Sequence, residues 1–372
     1  MSRIDEKLEQ LGITLPQAPS PIGSYVPAVR VGNLLYLSGL GPGLRDDGSA
    51  WAGKVGANYT LEEGNEAARS TGISIIARMK GHLGDLDFNP VDRRVYGSLE
   101  YGKQDAFYIA MIDGARIDRV GMTVAGTDLL RAVYLPEVTR DYAADLDGDG
   151  KADHRYGCSG IDGVAFGPAF GRSDGPLYLT VAYGIYGDVA RSDNDHQVLL
   201  QYDATDWGRE AQPIDEQALH HSGPTTPRGK YFVLTGNTRY GVQNLAYDSS
   251  LQRWFMGVYQ GAKPNWPNYL LFALDARSRP RRQALQGLAS PQGMNPERGL
   301  LLPLAQDGVH DVKTGVRGWY QKADVGIQPL GDGLYYLVQN DGARGAQSAV
   351  TRLMHWTGVS SKPFETMPMA DR

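Results

Sequence analysis

The sequence predicts a mainly β protein: a β-propeller over residues 87–372, preceded by a truncated α+β segment over residues 1–86. Two observations predict it. A register recurs four times about 80 residues apart, opening at Gly84 to Phe88, Asp162 to Phe166, Gln243 to Tyr247 and Gln328 to Asp332, and a fixed period of this kind marks stacked or radial repetition. Each opening leads into an apolar, aromatic-rich run, at 94–99, 177–183, 254–259 and 334–338, which reads as a buried strand.

The third unit shows the pattern best, with strands at 243–247, 254–259 and 270–274 and a polar outer strand at 282–285. Four short antiparallel strands per unit, repeated about an axis, make a propeller. Asn89-Pro90-Val91-Asp92 and Asp248-Ser249-Ser250 supply turn formers for the first turn of their units. Units longer than an ordinary blade require inserted loops, at 141–158, 220–240 and 300–324. The ring is expected to hold five blades, the fifth coming from those insertions or from the N-terminal segment.

Composition narrows the classes of function. The chain has 372 residues, 47 of them glycine and 21 tyrosine against one cysteine, which suits a turn-rich β body that needs no disulfides. A net charge of −5 with acids and bases interspersed gives no basic footprint for nucleic acid and no polybasic patch for a membrane surface. No run approaches the roughly 18 apolar residues of a membrane span, and residues 1–7 lack the apolar core of a secretory signal. The expected compartment is the cytoplasm.

Before the repeats, strand-like 25–31 and 34–39 flank the turn pair Gly32-Asn33, which reads as a β-hairpin. Thr60 and Glu63 have capping-box spacing, and Leu61, Ala68, Gly72, Ile75, Met79 and Leu83 follow at helical spacing. This text, with Leu11-Gly12-Ile13, Tyr25-Val26-Pro27-Ala28-Val29, Ser38-Gly39, Gly53-Lys54-Val55-Gly56, Glu66-Ala67-Ala68-Arg69 and Leu83-Gly84-Asp85-Leu86, resembles the YjgF-like reactive-intermediate deaminases, the Rid family. The resemblance implies a homotrimer that hydrolyses enamines and imines in clefts between subunits, with Tyr25 and Gly39 as cleft residues. Leu40 stands where the family usually carries Gln, and the second half of the family fold, with its carboxylate-binding arginine, does not follow Asp87. The deaminase half is therefore truncated, and Arg116 reads as an ordinary strand residue.

Several residues have the chemistry of sites. Asp145, Asp147, Asp149 and Asp153, with Lys151 between them and Gly150 at the sharp turn, follow the one-three-five-nine spacing that turns oxygens inward around Ca²⁺. The alternative is a solvated acidic turn, since Asp and Gly populate turns in any case. No EF-hand helix is evident before Asp145, and the residue at loop position twelve is Tyr156. His154, His196, His220 and His221, joined by Gln243, could hold a transition metal or act as acid-base groups at the propeller's mouth, or could each satisfy a separate loop. Asp162, Gln243 and Gln328 share one position in the repeat and are expected to ring one end of the central channel as ligand-binding groups.

Trp207, Trp254, Trp266, Trp319 and Trp356 suit either sugar stacking or blade packing. Cys158 has a histidine nearby in His154 and reads as a thiolate nucleophile or a buried thiol. Three functions follow: a calcium-stabilised propeller that binds a small molecule or saccharide and carries a non-catalytic Rid-like segment, an active imine deaminase, or a metal-dependent hydrolase or lyase.

Overall fold

The computed structural model describes residues 86–117, 128–289, 296–340, 349–359 and 362–367, together with 28–31, 34–37, 54, 57–60, 63–64 and 67. The chain divides into two compact units, one of residues 3–84 with 340–350 and the other of residues 85–339 with 351–372.

In the first unit, β1 (Ala28–Val31) and β2 (Leu34–Leu37) pair antiparallel with Val31 opposite Leu34, the hairpin that the flanking apolar runs predict. The capping box is formed: Thr60 N donates to Glu63 Oε2 at 2.8 Å and Glu63 N to Thr60 Oγ1 at 3.1 Å. Two helix-end donors are thus satisfied reciprocally, and Glu63, Gly64 and Ala67 are helical. Tyr25, Gly39 and the rest of the predicted helix face lie outside the described residues.

The second unit is mainly β. Its first sheet is β3 (Leu86–Asn89), β4 (Arg94–Tyr101), β5 (Ala106–Ile112) and β6 (Leu130–Tyr134). After the helix α1 (Pro136–Tyr142), the second sheet is built on β7 (Cys158–Gly167), β8 (Tyr178–Ile185) and β9 (His196–Tyr202). A one-turn helix α2 (Trp207–Glu210) precedes its fourth strand, β10 (Gly229–Leu234). The third sheet is β11 (Arg239–Asp248), β12 (Arg253–Tyr259) and β13 (Leu271–Asp275). Then come β14 (Arg281–Ala289), β15 (Pro296–Leu301), β16 (Val309–His310) and β17 (Arg317–Gly318). The last sheet is β18 (Gly326–Gly331), β19 (Leu334–Asn340), β20 (Ala349–Val359) and β21 (Lys362–Thr366). The first, third and last sheets run up and down in chain order, and the second does so from β7 to β10.

Alternation along the strands explains the stacking, because successive side chains leave a strand on opposite faces. Every position of β8 and β9 is buried. One face of the second sheet sends Val164, Val181 and Val198 against Tyr96 and Phe107 of the first. The other sends Ala182, Leu199 and Val233 against Trp254 and Met256 of the third. The opposite face of the third places Phe255 and Ala273 against Tyr335, Leu337 and Phe364 of the last. The first strands are neighbours in chain order, β3 beside β7, β7 beside β11 and β11 beside β18.

The insertions depart from expectation. None becomes a further meander among the described residues. Instead, the connection between the third and fourth strands of one sheet reaches back to the outer edge of the sheet before it. From the second sheet, Gln212 exchanges both backbone bonds with Ala132 of β6 at 2.8 and 3.0 Å, and Ser222 O accepts from Tyr134 N at 2.8 Å. From the third, β14 and β15 pair with each other, and β15 lies parallel to β10 at Tyr231 and Phe232. Residues 282–285 therefore extend the second sheet, and the outer place beside β13 goes to Trp319, which bridges Leu271. Unpaired edges invite association unless covered, and these connections cover them locally. Among the described residues no helix is long and apolar enough to cross a membrane.

Candidate functional site

Two groups of carboxylates stand out, one enclosed between sheets and one exposed in a loop. The enclosed group is set by β-bulges. In β7 the register shifts between Ile161 and Val164, and in β11 between Val242 and Asn244, so Asp162 and Gln243 occupy equivalent extra positions. A bulge re-aims a side chain out of the ladder, and here it turns the two residues to each other. Gln243 Nε2 donates to Asp162 Oδ2 at 2.6 Å and to the Tyr240 carbonyl at 2.6 Å.

From the first sheet, Glu100 near the end of β4 accepts from the Ile161 amide through Oε1. The backbone of the second sheet must be bare to admit both acids. A Cβ on Gly184 would lie 2.6 Å from Ser159 Oγ and 2.8 Å from Asp162 Oδ2, and a Cβ on Gly160 would fall onto the Glu100 carboxylate. Burial, with the charge of Glu100 added and the Gln243 hydrogen bond opposing, pushes the Asp162 carboxyl up to about 8. At neutral pH the pair holds a proton that an exposed Asp would have released.

Gln328 does not join them. Its Nε2 donates to the Pro329 carbonyl at 3.1 Å. The buried cross-strand pairs Val164–Val181 and Leu245–Met256 find their counterpart in Ile327–Leu337, so the position of Asp162 and Gln243 falls on Val325 in the last sheet. The strand is displaced by three residues from the expected register, because its own shift lies at its end, between Pro329 and Gly331.

The exposed group is the Asp-rich loop. Asp145, Asp147 and Asp149 bring ligand oxygens within 4.8 Å of one another. The loop is shaped by its own amides: Gly148 N and Gly150 N donate to Asp145 at 2.7 and 2.9 Å, and Asp149 N to Asp147 at 3.1 Å. Asp153 turns back to accept from Leu146 N at 2.6 Å. Lys151 places Nζ 2.9 Å from Asp149 Oδ2, and that hydrogen bond, with one from the Lys151 amide, holds the Asp149 carboxyl below its ordinary range. Tyr156 leaves the loop altogether, with its hydroxyl 2.5 Å from Glu297 Oε1.

The short helix α1 ends at Tyr142, ahead of the loop. Lys230 of β10 pairs with Glu137 of α1 at 3.0 Å and with Asp141, and the Tyr183 hydroxyl donates to Asp141 at 2.7 Å. Burial pushes Asp141 up against both partners. The far end of the loop is held by Arg191, which donates to the carbonyls of Asp153 at 2.7 Å and His154 at 2.9 Å.

The four histidines fall in three separate places, His220 and His221 sharing one. His154 lies between Tyr142 and Tyr186, with ring centroids 4.6 and 4.9 Å away. His196 is buried beside Phe232, and burial pushes its imidazole down to about 4. His220 and His221 pack on Tyr108 and Tyr134 at the covered edge of the first sheet. Among the described residues, the cluster able to hold a metal through three His, Cys, Asp or Glu groups is the aspartate one.

The remaining expectations resolve toward packing. Trp207, Trp254 and Trp319 are buried, while Trp356 packs on Phe255 and Trp319 and Trp266 on Gly236. Cys158 is buried, and its burial pushes the thiol up, away from a thiolate. Arg116 ends an exposed 3-10 turn at Gly114–Arg116. Sequence reasoning missed Glu100, whose one signal is a charge inside the apolar run of β4, and the Asp141–Lys230 pair.

No protein-family description matches the chain, and no solved structure matches it. A stretch of 85 residues, 23% of the chain, is 40% identical to Protein TCP17 of Trypanosoma cruzi and covers 52% of that protein. The chain thus spans about half the length of this curated relative.

Proposed function

We propose that the protein is a β-propeller that binds a small polar molecule or saccharide at the end of the hub where Glu100, Asp162 and Gln243 meet, that Ca²⁺ staples the loop at 145–153, and that the Rid-like segment is non-catalytic. The observation that carries this reading is the 2.6 Å bond between Gln243 and Asp162, formed between equivalent bulges of two successive first strands. Groups repeated at one position converge where a propeller channel opens. The side-by-side order of β3, β7, β11 and β18 supports radial repetition, and Tyr240, whose carbonyl accepts from Gln243, has an exposed ring packed on Tyr259.

A thermal-shift screen of saccharides and polar metabolites, followed by calorimetry on the hits, tests the reading. Binding lost on Gln243→Ala and Asp162→Asn is the expected result. Absence of any hit, or hits indifferent to both substitutions, sinks it.

A further inference from the structure

The connection that follows β15 carries a second concave site. Leu302 N donates to the Phe232 carbonyl of β10 and Ala305 N to the Ala273 carbonyl of β13, both at 2.8 Å, so residues 302–305 bridge the second and third sheets. Beside this bridge, the hairpin of β16 and β17 leaves a cleft of about 330 Å³. Leu234, Leu301, Leu302, Leu304 and Val316 line it; Leu302 and Val316 are buried and the other three half-buried. A small concave space with an apolar wall and few polar groups is the usual form of a small-molecule site.

The titratable groups on its wall are basic. His310 and Arg317 both line the cleft and stand directly opposite each other in the β16–β17 ladder, an arrangement that costs a sheet stability whenever both are charged. Arg317 Nη1 donates to the carbonyls of Gln306 at 2.9 Å and Gly308 at 3.3 Å, which holds the guanidinium at the cleft without neutralising it. The acids nearby are turned elsewhere. Asp311 accepts from the Thr314 amide at 2.9 Å, and Asp307 pairs with Arg253 at 2.7 Å. Lys313, the other cation of the turn, reaches Asn265 Oδ1 at 3.1 Å. Two basic side chains beside a leucine-lined hollow match a ligand that is apolar along its length and anionic at one end.

We propose that this cleft binds a small amphipathic carboxylate of the medium-chain fatty-acid class, with its carboxylate on Arg317 and His310 and its tail against the leucines. A guanidinium offers a carboxylate parallel N–H donors, and each methylene laid on the apolar wall tightens binding by about fourfold. The site shares no residue with the one at Glu100, Asp162 and Gln243 and does not rest on it.

Calorimetric titration of the full chain with octanoate, octanol and butanoate tests this. Octanoate should bind wild type, butanoate roughly a hundredfold more weakly for want of the tail, and octanol at least roughly tenfold more weakly for want of the charge. Arg317→Gln should weaken octanoate at least roughly tenfold, and Gln243→Ala should leave it unchanged. No binding of octanoate, equal binding of octanol, or an affinity that Gln243→Ala lowers and Arg317→Gln does not would each overturn the proposal. Should Arg317→Gln fail to fold, anomalous diffraction from wild-type crystals saturated with ω-bromooctanoate decides: bromine against Leu301 and Leu304 is expected, and its absence from the cleft overturns the site.

Discussion

The Glu100–Asp162 pair and the Asp145–Asp147–Asp149 loop use the same side-chain chemistry to opposite ends. Between the sheets, two carboxylates share one amide from Ile161 and one from Gln243, and burial raises Asp162 far from its ordinary value. In the loop, three carboxylates accept from their own turn amides and from Lys151, and the resolved shift, at Asp149, is downward. Enclosure decides the difference. The number of acids does not, since Asp149, which is shifted down, stands in the group with more of them.

Four experiments sharpen or break that comparison. The largest effect is expected at Lys230, whose pairing with Asp141 and Glu137 is the enclosed counterpart of Lys151 with Asp149. Lys230→Met should cost about 3–5 kcal/mol in urea unfolding because it strands buried carboxylates; a cost under about 1 kcal/mol would mean that enclosure matters less than the contrast claims. Next, His196 is the basic mirror of Asp162. Its imidazole is held neutral down to about 4, so the unfolded chain binds the extra proton, and stability is lost as pH falls from about 6.5 toward 4. Roughly 3 kcal/mol should disappear across that range, and a His196→Gln chain should show a flatter acid limb in thermal melts.

Third, the glycines separate close approach from turn geometry. Gly184→Val should destabilise by about 1–3 kcal/mol through crowding against Ser159 and Asp162. Gly150, at φ +85° with nothing within 4 Å of a Cβ, should lose only about 1 kcal/mol as Ala, from its left-handed backbone; equal costs would break the comparison. The smallest effect is that of Ca²⁺. Millimolar Ca²⁺ should raise the melting temperature by a few degrees, through preferential binding to the folded loop. Asp145→Asn should remove the rise, whereas an unresponsive wild type would leave the loop an acidic turn.

The repeat was legible because buried runs such as Leu179, Val181 and Tyr183 alternate at strand period, and because Asn89 and Asp248 close the first strand of their units and accept amides of the turn that follows. Asp162 and Gln243 were legible together because their bulges fall at matching places. The last sheet was misphased: its first turn is only Asp332-Gly333, and no period in the sequence discloses the shortening. Glu100 was hidden because the amide it accepts belongs to Ile161, 61 residues away. The place of β14 and β15 was hidden for a related reason, since pairing with β10 of another sheet settles it. The helix α1, seven residues led by Pro136, is too short for periodicity to separate from a loop.

The backward reach of the insertions has a consequence for how the chain is made. When β6 leaves the ribosome its outer groups have no neighbour, and their partners, Gln212 and Ser222, emerge only after most of the next sheet. The same delay separates β10 from β15. The first two sheets are thus finished by their successors, so nascent intermediates carry an open edge until synthesis moves on, and a chain cut after either of them keeps an edge ready to pair with another molecule.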